Sequence, residues 1–172
     1  SEGSGNPGTS NVLRTLGKGS AAIVLLGDLL KGAIPIIFFN QDQYFLVYGL
    51  AAVVGHIYPV FYKFKGGKGV ATYLGVYVAT VFMNPYNSDL FNIEIFQILN
   101  IPVLAFFYFV VFKATRVSAI ASLATVLVTV SLLININNEI SDVVVLVFLF
   151  VLILIKHSEN IKRLREGKEN KF

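Results

Sequence analysis

Apolar segments of helical length dominate this chain of 172 residues, which is 55% hydrophobic and only 14% charged. A helix needs about 20 apolar residues to cross the hydrocarbon core of a bilayer. Lipid offers no partners to backbone N–H and C=O groups, and strand-like alternation is absent, so these segments should be helices. The sequence therefore predicts an all-α, polytopic integral membrane helical bundle with six transmembrane helices. The predicted spans are residues 20–39, 44–62, 70–83, 97–112, 117–134 and 142–155.

Basic side chains are confined to alternate connections between these spans. Thirteen of the 14 Lys and Arg residues lie before the first span, between the second and third, between the fourth and fifth, or after the last. The positive-inside rule assigns that side of the membrane to the cytoplasm. We therefore expect one membrane-embedded domain over 1–172, with a glycine loop at 1–19 and a basic tail at 156–172 both in the cytoplasm. Because the basic residues do not form one patch on a soluble face, nucleic acid is not an expected partner.

The residue types that are missing limit the possible chemistry. The chain has no cysteine and only two histidines. Disulfides, thiolate metal sites and a cysteine nucleophile are therefore excluded. We expect neither a metal nor a cofactor.

The stretch GSGNPGTSNVLR at 3–14 matches the pattern G-x-G-x-x-G. A dinucleotide-binding turn needs a preceding strand, and only two residues precede this one. Three glycines let backbone N–H groups converge on an anion, while hydroxyls, amides and an arginine supply further donors. The alternative is a flexible glycine–serine tail, which would not need the asparagines or the arginine. The candidate residues here are Gly3, Ser4, Gly5, Asn6, Thr9, Asn11 and Arg14.

A second glycine-rich stretch is YKFKGGKGVAT at 62–72. It is not a Walker motif, because Tyr62 stands where the first glycine belongs and Gly69 where a serine or threonine belongs. Glycine N–H groups before a helix that begins near Val70, with lysines around them, favour a bound anion. A positive-inside loop would explain the lysines but not three glycines in four positions. The candidate residues here are Gly66, Gly67, Lys68 and Gly69.

Two further segments of the same predicted face carry polar candidates. In KATRVSAIAS at 113–122, Ser118 follows Arg116 at the membrane edge, although small residues there would equally serve helix packing. In IKHSENIKRL at 155–164, His157 and Asn160 share a helix face where the last span ends. A basic juxtamembrane helix that only anchors to anionic lipid is the alternative for this segment.

Within the first span, LLGDLLKG places Asp28 and Lys31 three residues apart on one helix face. Ionisable residues inside a membrane normally face the bundle and are candidates for function. A mutually neutralising structural pair explains them equally well, so both interpretations stay open.

Taken in order, GSGNPGTSNVLRTLGK, LLGDLLKG, GHIYPVFYKFKGGKGVAT, RVSAIAS and HSENIKRL closely resemble the motifs of the bacterial acyl-phosphate:glycerol-3-phosphate acyltransferase family, the PlsY type. The resemblance implies a multi-pass enzyme of the bacterial inner membrane. It would transfer a fatty acyl group from acyl phosphate to the 1-hydroxyl of glycerol-3-phosphate, giving lysophosphatidic acid and inorganic phosphate, the first step of phospholipid synthesis. Family members usually have seven spans, the first preceding the glycine motif.

The resemblance also implies roles for the candidate residues. Because acyl phosphate is already activated, the site must mainly hold two phosphates and place a hydroxyl against a carbonyl. We expect Ser4, Arg14, Lys68 and His157 to be catalytic, with the two cations neutralising phosphate charge and the glycine N–H groups contributing to an oxyanion site. The other candidates are expected to bind substrate.

Two questions stay open at this point. Either His157 or the phosphate of the donor could accept the hydroxyl proton, and in the second case His157 would bind glycerol-3-phosphate. The expected partners are glycerol-3-phosphate, acyl phosphate and membrane lipid. The alternative function is a membrane transporter for a phosphorylated anion, although such sites usually lie near the bilayer midplane.

Overall fold

The computed structural model describes residues 3, 5–83, 93–136 and 139–171, with only the backbone described for 93–98. Within these ranges every secondary-structure element longer than one turn is an α-helix, which confirms the predicted all-α class. A 3₁₀ turn, Val60–Tyr62, follows the second helix. The α-helices are α1 (Thr9–Phe39), α2 (Phe45–Ile57), α3 (Val70–Met83), α4 (Ile93–Thr115), α5 (Ser118–Ile136), α6 (Ile140–Lys156) and α7 (Ser158–Arg165).

The chain divides into two compact units, Ser1–Met83 and Asn84–Phe172. In the first unit α1 packs against α2 and α3, and these two also contact each other. In the second unit α5 packs against α4 and α6, and α7 contacts α6.

Glycines set the close approach of α1 to α3. A Cβ atom on Gly32 would overlap the carbonyl group of Thr72, and one on Gly75 would overlap the carbonyl group of Leu29. The two backbones therefore touch through paired glycines, a common way for membrane helices to gain dispersion contact. Ile36 and Val76 are buried beside this contact.

The second unit buries a polar stripe on α5 whose hydroxyls are satisfied locally. Thr125 donates to the carbonyl oxygen of Ala121 at 2.8 Å, and Thr129 donates to that of Thr125 at 2.8 Å. Such bonds to the preceding turn remove the cost of placing a hydroxyl away from water. Leu146 and Leu149 of α6 are fully buried in the same unit.

The first helix begins earlier than the sequence pattern indicates, so the loop predicted over 1–19 ends at Gly8. The Asn6 side chain accepts a hydrogen bond from the Gly8 N–H at 2.8 Å. The Gly8 carbonyl in turn accepts from the N–H groups of Asn11 and Val12. These hydrogen bonds start the helix among polar residues, where hydropathy alone does not predict a transmembrane helix. Gly17 then interrupts it with φ 84° and ψ −178°.

In the part of the chain that the structure describes, three helical segments are long and apolar enough to cross a membrane, and a fourth is added if two helices joined by a bend of 52° are one span. Among the described residues, α3 and Leu99–Thr115 are shorter apolar helices. Large apolar side chains such as Ile23 and Phe38 lie exposed, as a lipid-facing surface requires. The count of six spans and the single domain over 1–172 stay predictions. The long segments are Thr9–Phe39, Phe45–Tyr62 and Ser118–Ile136, and the bent pair is Ile140–Lys156 with Ser158–Arg165.

Candidate active site

The four predicted site segments share one structural feature: each lies at a helix N-terminus. The helices concerned begin at Thr9, Val70, Ser118 and Ser158. The first N–H groups of a helix have no partner within it, and the helix dipole is positive at this end. All four segments therefore present donors that suit an anion, whereas the N-termini of α2, α4 and α6 carry no candidate residue.

In the first glycine loop, Gly3 lies against the first turns of α1. Gly3 and Gly5 adopt φ of 61° and 69°, a region that favours glycine. A Cβ atom on Gly3 would overlap the side chain of Asn11 and lie 2.9 Å from Thr15 Cγ2. The structure thus brings Gly3 against the buried side chain of Asn11. The predicted catalytic residue Ser4 lies outside the described residues.

Three other candidates of this region have distinct environments. The Asn6 side chain is used to begin the helix, since it accepts from the Gly8 N–H. Arg14 is exposed on α1. Thr9 Oγ1 is buried and makes no hydrogen bond to any other residue in the described part of the chain. A buried hydroxyl without a protein partner commonly marks the position of a ligand or a water molecule.

In the second glycine loop, residues 66–69, the structure explains separately why each of the three glycines lacks a side chain. Side chains on Gly66 and Gly67 would overlap His56, the first its carbonyl oxygen and the second its imidazole ring. Gly69 has φ 85° and lies directly before α3. The three glycines that seemed to require an anion are therefore also explained by close packing and backbone conformation. Lys68 lies half-buried between them.

Two of the candidate segments, 62–72 and 113–122, contain residues with strained backbone conformation. Lys63, Phe64 and Arg116 have φ of 53°, 61° and 59°, although none is a glycine. Left-handed backbone at ordinary residues costs about 1 to 3 kcal/mol each and concentrates at functional sites. At Arg116 the strained residue ends α4, where its N–H donates to the Phe112 carbonyl at 2.7 Å.

Ser118 is the first residue of α5 and is half-buried. Ser122, one turn later, lies beside Tyr108 of α4. The serine predicted to bind substrate therefore occupies the helix N-terminus, and its neighbour on the same face joins α5 to α4.

His157 stands between α6 and α7 with its side chain oriented by local backbone. Its Nδ1 lies 2.8 Å from the Ile153 carbonyl oxygen, and the residue is 2% exposed. A carbonyl oxygen only accepts, so Nδ1 carries the proton and Nε2 is the acceptor nitrogen of the neutral ring. This tautomer can accept a hydrogen bond from a substrate hydroxyl.

Glu169 anchors Asn160, which is also buried. Asn160 Nδ2 donates to Glu169 Oε1 at 2.8 Å, and Arg163 Nε donates to Oε2 at 2.8 Å. The chain reaches this position because Gly167 takes φ 68° and closes α7 with a hydrogen bond from Lys168 N–H to the Arg163 carbonyl at 2.7 Å. The basic tail is therefore folded against α7 at this point.

Sequence reasoning missed two residues that the structure places beside predicted ones. His56 contacts the second glycine loop and also lies 3.3 Å from Asp28. Glu169 holds Asn160. The available signals were a histidine in the helix before the glycine loop and an acid shortly after a helix-ending glycine. Neither spacing shows which residue the histidine or the acid contacts.

Comparisons with known proteins agree on one family. The family model described as glycerol-3-phosphate acyltransferase matches residues 1–167. A glycerol-3-phosphate acyltransferase of Vibrio campbellii is 42% identical over 174 residues, covering 99% of this chain and 77% of that protein. The corresponding enzyme of Ruthia magnifica is 36% identical over 176 residues, covering 99% and 81%.

Solved structures give the same result. A crystal structure of PlsY (YgiH), described as an integral membrane glycerol 3-phosphate acyltransferase in its glycerol 3-phosphate form, matches with a TM-score of 0.78 and 36% identity. The match covers 99% of this chain and 80% of that one. The lysophosphatidic acid form matches with a TM-score of 0.76 and 35% identity. The apolar helices and these similarities identify an integral membrane protein, and the chain belongs to the glycerol-3-phosphate acyltransferase family, of the PlsY type.

Proposed function

We propose that this chain transfers a fatty acyl group from acyl phosphate to the 1-hydroxyl of glycerol-3-phosphate. The products are lysophosphatidic acid and inorganic phosphate. The observation that carries the proposal is the position of the candidate segments at the N-termini of α1, α3, α5 and α7. Donors and cations at helix N-termini, present in each of the two units, suit substrates that both bear phosphate.

In the first unit the proposed task is to bind phosphate. Arg14 offers a planar bidentate fork and Lys68 a point charge. The N–H groups of residues 67–69 would stabilise negative charge that develops as the acyl carbonyl is attacked. Thr9, with its buried hydroxyl, would hydrogen-bond to a substrate oxygen. Gly3, Gly5, Asn6 and Asn11 would complete the binding loop, and Ser4 remains a proposed catalytic residue.

In the second unit the proposed task is to bind and orient the acceptor alcohol. His157 Nε2 would accept the hydrogen bond of the attacking hydroxyl, with Ser118 and Asn160 as further binding residues. The hydroxyl oxygen forms the new ester bond to the acyl carbon, the bond from that carbon to the phosphate oxygen breaks, and phosphate leaves. His157 Nδ1 donates to the Ile153 carbonyl, which holds the ring in place for binding the acceptor alcohol. We assign the hydroxyl proton to the departing phosphate, whose oxygens accept it.

The proposed location is the bacterial inner membrane, with the site facing the cytoplasm. Basic residues cluster in the segments that carry the candidate residues, and connections 40–43 and 135–141 have none. The positive-inside rule supports this orientation. Cysteine substitutions in the cysteine-free chain, at the exposed Lys65 and Gln41, would test it by labelling from either side of sealed vesicles.

The experiment that tests the function measures phosphate release by the purified chain in lipid nanodiscs. Palmitoyl phosphate is supplied with or without glycerol-3-phosphate, and the lipid product is identified by mass spectrometry. We expect release that depends on glycerol-3-phosphate and yields lysophosphatidic acid. Release without glycerol-3-phosphate would indicate a hydrolase. Absence of release, together with glycerol-3-phosphate uptake into proteoliposomes, would replace the proposal with the transporter alternative.

A further inference from the structure

A charged cluster joins α1 to α2 within the first unit. Lys31 Nζ lies 2.6 Å from Asp28 Oδ1, and His56 Nδ1 lies 3.3 Å from the same oxygen. The side chains of Asp28 and His56 are each 9% exposed, whereas that of Lys31 is 46% exposed. An acid held this deep in an apolar helix is expensive and is normally kept for function.

Two partners hold the Nδ1 edge of the imidazole. His56 Nδ1 lies 3.3 Å from both Asp28 Oδ1 and Lys31 Nζ. With the proton on Nδ1 the ring donates to the Asp28 carboxylate, and in the other tautomer Nδ1 accepts from the Lys31 ammonium. Asp28 also accepts from Lys31 at 2.6 Å, so the three groups fix the plane of the ring in either tautomer, with Nε2 on the opposite edge.

That opposite edge supports the second glycine loop. The volume that a side chain at Gly67 would need is filled by the imidazole, with Cε1 2.8 Å from the Cβ position and Nε2 closer still. The Gly66 N–H donates to the Ile57 carbonyl at 3.2 Å, just after His56 on α2. The backbone that leads into Lys68 therefore rests on His56 and on the end of its helix.

We propose that Asp28, Lys31 and His56 are a positioning network for the loop 66–69. Asp28 fixes the imidazole, the imidazole fixes the backbone at Gly67, and that backbone places the N–H groups and Lys68 toward phosphate. Lys31 neutralises the acid. The proposal rests on the proposed function, in which this loop binds a substrate phosphate. It also decides the question left open by the sequence, since the Asp28–Lys31 pair then serves the site rather than only helix packing.

Two substitutions of the histidine separate the two halves of this network. His56→Phe keeps a ring beside Gly67 but removes the polar contact with Asp28 and Lys31. His56→Asn keeps a donor near the Nδ1 position but removes the ring edge beside Gly67. We expect each to lower kcat/KM for at least one substrate by about 10- to 100-fold, the effect of misplacing a binding group by about 1 Å.

A double-mutant cycle tests whether Asp28 and His56 act as one unit. We expect Asp28→Ala to match the loss seen in His56→Phe, and the double variant to fall no further than the worse single variant. Asp28→Asn retains an acceptor for His56 and should recover part of the loss. Wild-type kcat/KM in His56→Phe, or additive losses in the cycle, would overturn the proposal.

Asp42→Ala is the matched control. This acid lies in the connection between α1 and α2, at the other end of α2, where it accepts from the Tyr44 N–H at 2.7 Å and the Tyr48 hydroxyl at 3.3 Å. We expect its loss to lower thermal stability while kcat and KM per folded protein stay within about twofold of wild type, as for sites without shared partners. Equal kinetic losses in Asp42→Ala would reduce the network to a structural role.

Hydrogen exchange of the segment 63–70 gives a readout without activity. In the nanodisc-bound chain, we expect faster exchange at 66–69 in His56→Phe and Asp28→Ala than in wild type and Asp42→Ala. Unchanged exchange would overturn the positioning proposal even if the enzyme is active. A wild-type chain without acyl transfer, but with this exchange pattern, would instead reject the proposed function and keep the network.

Discussion

The two histidines of this chain are oriented by different means. His157, at the end of α6, is held by the carbonyl of Ile153 one turn earlier in the same helix. His56, near the end of α2, is held by Asp28 from another helix and lies against a loop that follows in the chain. The comparison shows that one unit builds its candidate site from neighbours in sequence, and the other from contacts between helices.

The largest expected effect is the loss of acyl transfer in a His157 variant that keeps the hydrogen bond of Nδ1 but loses the Nε2 acceptor. In His157→Asn the amide can still donate to the Ile153 carbonyl, so the helix end should stay folded, but the Nε2 acceptor is lost. We expect acyl transfer to fall about 100-fold or more, because the attacking hydroxyl loses the acceptor that orients it against the acyl carbonyl. Phosphate release and thermal unfolding of the same nanodisc samples provide the measurement. Activity within threefold of wild type would remove His157 from the site.

The corresponding effect in the first unit is expected at Lys68. Lys68→Ala removes a cation from the loop 66–69 and should lower turnover about 100- to 1,000-fold, as loss of one stabilising donor does. Lys65→Ala is the matched control, because Lys65 is exposed on the same segment. Both variants should remain folded. Similar losses in the two would show that the loop attracts phosphate by overall charge rather than through one placed lysine.

A smaller effect tests the local character of the second unit. Glu169→Ala removes the acceptor shared by Asn160 and Arg163, and the Glu169 side chain is 7% exposed. Hydrogen bonds to charged groups contribute about 1.5 to 3 kcal/mol each, so we expect a lower unfolding temperature and weaker acyl transfer.

The control for this variant is Glu166→Ala. Glu166 pairs with Lys168 at 3.3 Å on the surface. Such exposed pairs contribute about 0 to 1 kcal/mol. An equal loss of stability in both variants would contradict the anchoring role of Glu169.

The smallest effect concerns the break in α1. Gly17 has φ 84°, and a Cβ atom there would have no neighbour within 4 Å. Gly17→Ala should therefore destabilise the chain by backbone strain alone, about 1 to 3 kcal/mol. Gly19 is equally open but helical, so Gly19→Ala should stabilise by about 0.5 to 1 kcal/mol. Thermal unfolding of the two variants is the measurement, and shifts of the same sign would show that the break is not a fixed feature.

Much of the fold followed from patterns that need no distant partner. Hydropathy correctly predicted an all-helical membrane protein, and the change from KGGKG to an apolar run correctly predicted a helix beginning near Val70. The spacing of Asp28 and Lys31 correctly indicated a shared helix face, and the two form an ion pair. Hydropathy failed at Thr9, because helix initiation there depends on hydrogen bonds of Asn6 and Gly8 rather than on apolar residues.

The sequence by itself determined the helical class, the donor-rich segments and the family. Only the tertiary structure decided how those segments are supported. Lys31, which pairs with Asp28, is 25 residues from His56. No local sequence pattern shows which side chains of two helices will contact each other when the helices pack. The glycines before Lys68 were equally ambiguous, since a missing side chain serves a bound anion and a neighbouring imidazole alike. Local periodicity fixes helices because their hydrogen bonds are local, whereas the site depends on which helix faces meet.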